Sequence, residues 1–470
     1  MVNDILILMK HEVLLILLLF ILLFLKLGKE TWKNEATLTF VNALLLLNFI
    51  AGFVMNGEGV LFNDMFRTNA LFVFEKNILN LGALIISMQS FNWLKNHPHL
   101  LEFYMLLIST LIGMFFMISS DNLLMFYLGL ELSTIPLAAL ANFDLEKRQS
   151  SEAAMKMIMS SAFSSGILLF GISLVYGTTG TITLSELARA LDGSPLQLFA
   201  FILLFTGFAF KMSAVPFHLW TADVYEGSPV ATTSYLSVVS KGAIIFVFVT
   251  VLYTTFSSLA ASWYKILYLT SVLTMIIGNL FAIRQNNLKR FLAFSSIAQI
   301  GFILIGISGS SQLGMSSVIY FILIYVFSNL GAFGVVSLVS SITGKENMDD
   351  YRGFYKTNPL LSWGLTISLF SLAGIPPTAG FFGKLFLLTA GAGKGNYVLI
   401  TIAALSMIVS LYYYLKVVKA IFMEKSEQPI ERIQAGVFSN VALLICIIGI
   451  IAIGFIPQIY DYIYSLSFGI

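Results

Sequence analysis

Four ionisable side chains stand where a membrane would be driest: Glu131 in MFYLGLELSTIPL, Lys211 after FAFILLFTGFAF, Lys241 in SVVSKGAIIFVFVTVLY and Lys384 in GIPPTAGFFGKLFLL. Such a group at mid-bilayer costs about 2.5–3.5 kcal/mol on insertion scales, so each is a functional position by default. Lys241 has roughly a dozen apolar or small residues on either side, about 18 Å at 1.5 Å per residue. Its side chain, reaching ~6 Å, cannot snorkel to water from there. Desolvation disfavours an ammonium and a nearby carboxylate restores it, so a small movement of the partner loads or unloads a proton. That chemistry suits proton carriers.

Glu131 needs a cationic partner in any role, since a lone buried carboxylate becomes neutral. Lys241 and Lys384 have no carboxylate in their own helices; they call for water as part of their solvation, or for a fixed ion pair with another subunit. Three further residues are weaker candidates. Lys156 lies about one turn inside its span and is able to snorkel to the cytoplasmic face. His218, in PFHLWTADVYEG, titrates near neutrality and fits either a relay to Lys211 or a cap on a broken helix. Lys289 belongs with Arg284 and Arg290 to a boundary signal, but is placed to enter the bundle. Asp223 and Glu226 read as capping or proton-collecting surface groups, and Glu75-Lys76 as a local pair or a contact to another subunit.

The elements that must hold these groups are membrane helices. The chain of 470 residues is 58% hydrophobic and 11% charged, with mean hydropathy +0.90, against about 25% charged in soluble domains. Continuous apolar runs, not alternating ones, imply helices instead of a barrel. The fold class expected is an all-α polytopic membrane protein of about 14 transmembrane helices: 4–27, 36–56, 69–90, 99–119, 121–142, 151–177, 196–218, 229–257, 261–283, 289–309, 314–343, 358–390, 396–424 and 436–465. The first run lacks a basic leader and a cleavage site, and is expected to be retained. Loops after odd-numbered spans concentrate the basic residues, among them Lys26, Lys29, Lys33, Lys147, Arg148, Lys289 and Arg290. They are expected in the cytoplasm, which puts both termini on the outer side.

Prolines interrupt the fifth, seventh and twelfth spans (Pro136, Pro216, Pro376-Pro377). Non-helical backbone at membrane depth survives only against protein or a water-filled cavity. Broken helices beside charges in two five-helix blocks suggest two inverted five-helix repeats with discontinuous helices in each. The expected organisation is three N-terminal helices (1–98), a first repeat (99–257), a second, inverted repeat (258–425) and a C-terminal helix (426–470). Between the sixth and seventh spans, Thr183-x-x-Glu186 opens a short amphipathic helix with a capping-box pattern. The single cysteine, Cys446, and four scattered histidines, of which only His218 lies near membrane depth, leave no cluster or haem ligand set. No phosphate-binding loop is present, and charge suggests no nucleic acid.

The segments SEAAMKMIMSSAFSSGILLFGISLVYGTTGTITLSELA, FKMSAVPFHLWTADVYEGSPVATTSYLSVVSK, RQNNLKRFLAFSSIAQIGF and SLAGIPPTAGFFGKL together resemble the antiporter-like membrane subunits of respiratory complex I, a family shared with Mrp-type cation/proton antiporters and membrane-bound hydrogenases. Lys384 and the chain's length place the resemblance with the N-type branch, because M-type members carry glutamate at that point and L-type members a long lateral helix. The resemblance implies a fifth- and seventh-span ion pair at Glu131 and Lys211, and the eighth- and twelfth-span lysines at Lys241 and Lys384. Ala222 and Gln299 depart from the pattern, standing where some members have proline and histidine. It also implies proton translocation within an NADH:quinone oxidoreductase, no cofactor on this chain, and NADH, FMN, iron-sulfur clusters and quinone in partner subunits. K-type and M-type neighbours, the lipid bilayer of a bacterial inner membrane, and no nucleic acid complete the expected partners. The rival reading is an Mrp-type antiporter or hydrogenase subunit; a non-conducting scaffold does not account for four deep ionisable groups.

Overall fold

The computed structural model describes residues 2–28, 32–54 and 57–470; Lys29, one of the basic residues used for orientation, lies outside them. Among the described residues, twelve helices are long and apolar enough to cross a membrane. They are α2 (Asn34–Val54), α3 (Ala70–Gln89), α4 (Leu100–Ile118), α5 (Leu123–Ala141), α6 (Arg148–Thr179), α7 (Pro195–Met212), α8 (Val230–Thr254), α9 (Ser257–Ile283), α10 (Leu288–Ser308), α11 (Gln312–Thr343), α14 (Tyr397–Phe422) and α15 (Val437–Phe455). Ahead of them comes α1 (Lys10–Leu27), preceded by a short turn of helix from Val2 to Leu8. Two shorter apolar helices, α12 (Pro359–Ala373) and α13 (Ala379–Ala392), occupy the stretch expected as one span at 358–390. The last stretch is likewise two helices, α15 and Pro457–Leu466. A small hairpin, β1 (Gly59–Leu61) with β2 (Phe66–Thr68), joins α2 to α3.

The proline breaks are real at two of the three expected places. α5 runs unbroken through Pro136, with Ser133 and Thr134 hydroxyls bonding back to the Leu130 carbonyl. The helix continues past the missing Pro136 amide instead of opening. α7 and α12 do end early, and in the same manner. Ser213 (φ 66°) and Gly374 (φ 85°) take the left-handed conformation. The next amides, Ala214 N and Ile375 N, then donate five residues back to Ala209 O (2.8 Å) and Phe370 O (3.0 Å). This is the Schellman closure, which satisfies two of the terminal carbonyls and leaves the last ones free. Cis peptides follow at Val215-Pro216 and Pro376-Pro377.

Close approach is set by small residues. A Cβ on Gly113 of α4 would lie 2.5 Å from Ser133 N of α5, and one on Gly278 of α9 would lie 2.6 Å from Ala298 N of α10. Each pair is followed by a helix of 32 residues, α6 and α11, ending at left-handed Gly180 and Gly344. At 1.5 Å per residue each is about 48 Å long, more than a hydrocarbon core. The centre of the bundle is α10, buried at every position except Arg290 and packed against α9, α11, α13 and the helix Leu219–Gly227.

The expected capping box does not form. Thr183 makes no side-chain cap at the helix Leu184–Ala190, and Glu186 instead accepts from the Thr181 hydroxyl. The reason is pairing: Thr183 bridges Asn122, with Leu123 N bonded to Ile182 O and Leu184 N to Asp121 O, which fixes the backbone before the helix starts.

Candidate functional site

Lys211 is the penultimate residue of α7, at the Schellman break. Its ammonium donates to Thr134 Oγ1 of α5 (2.5 Å) and Ser161 Oγ of α6 (2.9 Å). Glu131, one turn before Thr134, lies within Coulombic reach but does not form a direct ion pair with it, and its Oε1 is buried without a hydrogen-bond partner. The expected contact pair is thus a spaced pair: the Thr134 hydroxyl that accepts from Lys211 donates to the Leu130 carbonyl and not to Glu131. Beside Lys211 is a cavity of about 20 Å³, lined by Thr134, Ser161, Trp220 and, on α8, Leu236 and Ser240. That is room for about one water.

Ser240 is the neighbour of Lys241, and here the backbone departs from expectation. Residues Leu236–Ser240 form a π-helical turn within α8, a feature found mostly as single turns at functional sites. Lys241 is 2% exposed. It bonds Ser296 Oγ of α10 at 2.8 Å and sits 5.3 Å from the centre of the Tyr225 ring. A desolvated cation over an aromatic face gains about 2 kcal/mol, so a ring and a hydroxyl supply solvation that the sequence assigned to water.

The route onward lies on α10. Gln299, three residues after Ser296 and therefore on the same face, donates through Nε2 to Leu372 O (3.0 Å) and Tyr414 OH (3.2 Å). Lys384, fully buried, donates to that same Leu372 O (2.7 Å) and to Ala373 O (3.2 Å), 4.9 Å from the Phe302 ring centre. These are the two carbonyls that the Schellman closure of α12 leaves over, at the negative end of the helix dipole. The break thus creates the lysine's binding site. Gln299 and Lys384 thus share the Leu372 carbonyl, while Ser296, one turn before Gln299, accepts from Lys241 and donates to Ala293 O. Two further buried hydrogen bonds start from α11: Asn329 to Ser237 of the π-helical turn (2.5 Å), and Ser328 to Ser371 of α12 (2.7 Å).

On the face bearing the basic loops, Asp223 ties two elements together, bonding Lys156 of α6 and Arg290 of α10 at 2.7 Å each, while Arg290 also takes Glu226 (2.8 Å). Burial pushes the Asp223 carboxyl up, but the Lys156 and Arg290 hydrogen bonds outweigh it and hold it below its ordinary value. Next to this network opens a polar cavity of about 410 Å³ lined by Asp144, Glu226, Ser228, Lys289, Ser340 and Glu346. At its floor Lys289, nearly buried, pairs with Glu346 (3.0 Å) and donates to Ser228 O (3.3 Å).

Residues 120–410 match the family described as NADH:quinone oxidoreductase/Mrp antiporter, TM. The chain belongs to this family. The NADH-quinone oxidoreductase subunit N of Azobacteroides pseudotrichonymphae genomovar. CFP2 is 44% identical over 447 residues, covering 94% of this chain and 92% of that one. The subunit of the same name from Phocaeicola vulgatus is 44% identical over 450 residues, covering 95% and 94%. A chain of respiratory complex I from Thermus thermophilus superposes with TM-score 0.84 at 27% identity, covering 98% of this chain and all of that one. A chain of the Mrp complex from Dietzia sp. DQ12-45-1b has the same fold, with TM-score 0.85 at 20% identity. These relatives agree with the resemblance read from the motifs.

Among the residues expected to matter in this oxidoreductase/antiporter family chain, Lys241 and Lys384 are held by polar groups of α10 and α12, Lys211 by hydroxyls of α5 and α6, and Glu131 lies within Coulombic reach of Lys211. Lys156 does not simply snorkel: it is held by Glu152 (2.8 Å) and Asp223. Arg290 is more than a boundary signal, and Asp223 and Glu226 are more than caps, since the three form one ion network. His218 is buried at the start of the helix Leu219–Gly227 but makes no side-chain cap bond, and its Nδ1 has no partner. The reading of Glu75-Lys76 needs correction. Lys76 pairs with Glu12 of α1 at 2.5 Å, both at or below 1% exposure. His11, read as away from membrane depth, is buried and bonds Asn48 (3.0 Å). Sequence reasoning missed Glu12, Ser161, Ser296 and Tyr225. Only Glu12 carried a signal, a charge inside an apolar run; the others are polar residues of ordinary helix composition.

Proposed function

We propose that this chain is a proton-translocating membrane-arm subunit of an NADH:quinone oxidoreductase, driven by redox chemistry in other subunits. The observation that carries the reading is the row itself: the partly buried Lys211 and the buried Lys241 and Lys384, each held by hydroxyls or carbonyls, with Ser296 and Gln299 on the face of α10 between the last two. Protons enter from the cytoplasm to Lys211, pass Lys241, reach Lys384 and leave on the outer side. A change in charge on a neighbouring subunit shifts the balance between Glu131 and Lys211 and so loads or unloads the row. The 410 Å³ cavity ending at Lys289 adds a polar approach from the cytoplasmic face.

The proposed architecture has fourteen crossings, counting α1 and taking α12 with α13 as one. It contains two inverted five-helix repeats, α4–α8 and α9–α14. Supporting the repeats, the same order recurs: a glycine-packed pair, a 32-residue helix ending on glycine, then a helix closed by a Schellman break. Both termini face the outer side of a bacterial inner membrane, K-type and M-type subunits are the neighbours, and NADH, FMN, iron-sulfur clusters and quinone belong to partner subunits. The printed names of the 44% identical relatives favour this over an antiporter or hydrogenase assembly, and the polypeptides that co-purify in mild detergent would separate the two.

Lys211→Ala in the assembled complex tests the reading. NADH oxidation coupled to proton uptake into vesicles is expected to fall at least tenfold, with the amount of assembled complex unchanged. Full coupled pumping by that variant would refute the function.

A further inference from the structure

The N-terminal helices hold a second group of buried ionisable side chains away from the lysine row. Glu12 of α1 binds Lys76 of α3 at 2.5 Å, and Glu75, the residue before Lys76, is 1% exposed. Glu75 lies within Coulombic reach of the same ammonium, and Lys10 within reach of both Glu12 and Lys76. One oxygen of each carboxylate, Glu12 Oε2 and Glu75 Oε1, is buried without a hydrogen-bond partner. Lys76 is roofed by the Phe66 ring of the hairpin, 5.0 Å away.

We propose that Glu12, Glu75 and Lys76 form a proton-holding site additional to the lysine row, a reading that rests on the chain's being a proton translocator. Charge balance in a dry place supports such a site. A buried carboxylate with no donor to its oxygen does not persist as a bare anion. With Lys76 on Glu12, Glu75 therefore carries a proton. Lysine's flexible four-carbon stem lets the ammonium turn instead to Glu75; Glu75 then releases its proton as a carboxylate paired with Lys76, and Lys10 remains near Glu12. The two arrangements use the same groups and differ by one proton.

The site is also mechanically connected to the row. α3 packs against the π-helical turn: a Cβ on Gly82 would lie 3.1 Å from Val239, and one on Gly242, beside Lys241, would lie 3.0 Å from Leu79. Leu79 is one turn after Lys76 on the same helix. A shift of Lys76 between carboxylates therefore presses on the segment that carries Lys241. By parity of crossings the hairpin lies on the face opposite the Lys289 cavity, so the site stands between the row and the outer side.

The test uses the whole complex in membrane vesicles driven by NADH. Glu75→Gln is expected to lower proton uptake per NADH several-fold and to remove a protonated-carboxyl stretch from the infrared difference spectrum on energisation. Glu75→Asp is expected to shift that band and keep most of the pumping. The neutral pair Glu12→Gln/Lys76→Met, which removes both charges together, is expected to assemble and still pump poorly. Normal pumping by Glu75→Gln and the double variant, while Lys211→Ala is defective, would overturn this site and leave the proposed function standing. Should assembly fail, the absence of any band shift in Glu75→Asp would overturn it as well. Normal pumping by Lys211→Ala would refute the function itself.

Discussion

Gln299→Leu is the substitution that most directly interrogates the face of α10 between the two halves of the row. The leucine is close in volume and removes one amide. Lost are two neutral hydrogen bonds, to Leu372 O and Tyr414 OH, each about 1 kcal/mol. Neither partner is orphaned, because Lys384 still serves Leu372 O and Ser295 still bonds Tyr414. The change also eliminates Gln299 Oε1, a buried acceptor without a partner, which relieves about 1–3 kcal/mol. Stability should therefore come out near even, and the complex should assemble. Proton passage should not survive as well, since a hydrocarbon now separates Ser296 from the Leu372 carbonyl. An increase of only about 1.4 kcal/mol in the transfer barrier slows it tenfold, and a missing polar link should exceed that. The assay is proton uptake per NADH in proteoliposomes, with native gels confirming assembly. Gln299→His provides the counterpart, replacing the amide by another group that donates and accepts, and should retain pumping. Full pumping by the leucine variant would show that protons do not cross by this face of α10.

Two further outcomes follow from the packing and from the ion network. Gly380→Ala would put a Cβ 1.8 Å from Ser371 O, beside the break that cradles Lys384; loss of the subunit from the assembled complex on native gels is expected, and normal assembly would show that α12 and α13 are free to separate. For Asp223, the folded carboxyl titrates below its ordinary value, so its contribution is fully present above the ordinary carboxylate range and is lost as pH falls through the lowered value. Asp223→Asn should accordingly lower the Tm of the detergent-solubilised complex at pH 7 and flatten its decline towards acid, whereas an unchanged melting profile would deny the network a stabilising role.

Lys211, Lys241 and Lys384 were identifiable because depth is a one-dimensional property: counting apolar residues on either side gives distance from the interface, and the energetic penalty does the rest. The broken seventh and twelfth spans were likewise visible, since proline removes a donor wherever it stands. Pro136 was misjudged by the same rule, because one missing amide does not open a helix when left-handed backbone is lacking next to it. The capping box at Thr183 failed for a related reason, since a bridge to Asn122 claims its backbone first.

The sequence by itself determined which groups are charged, how deep they lie and that membrane helices must carry them. Only the tertiary structure decided what each charge is paired with. Glu12 and Lys76 are 64 residues apart, Lys241 and Ser296 55, and Lys211 and Thr134 77. Lys384 is held by backbone carbonyls that become available only because α12 closes its end without them. Hydrophobic depth is encoded locally, in the composition of one run, whereas a hydrogen bond requires two atoms within about 3 Å. In a bundle whose helices are each locally satisfied, that proximity is fixed by interhelical packing alone.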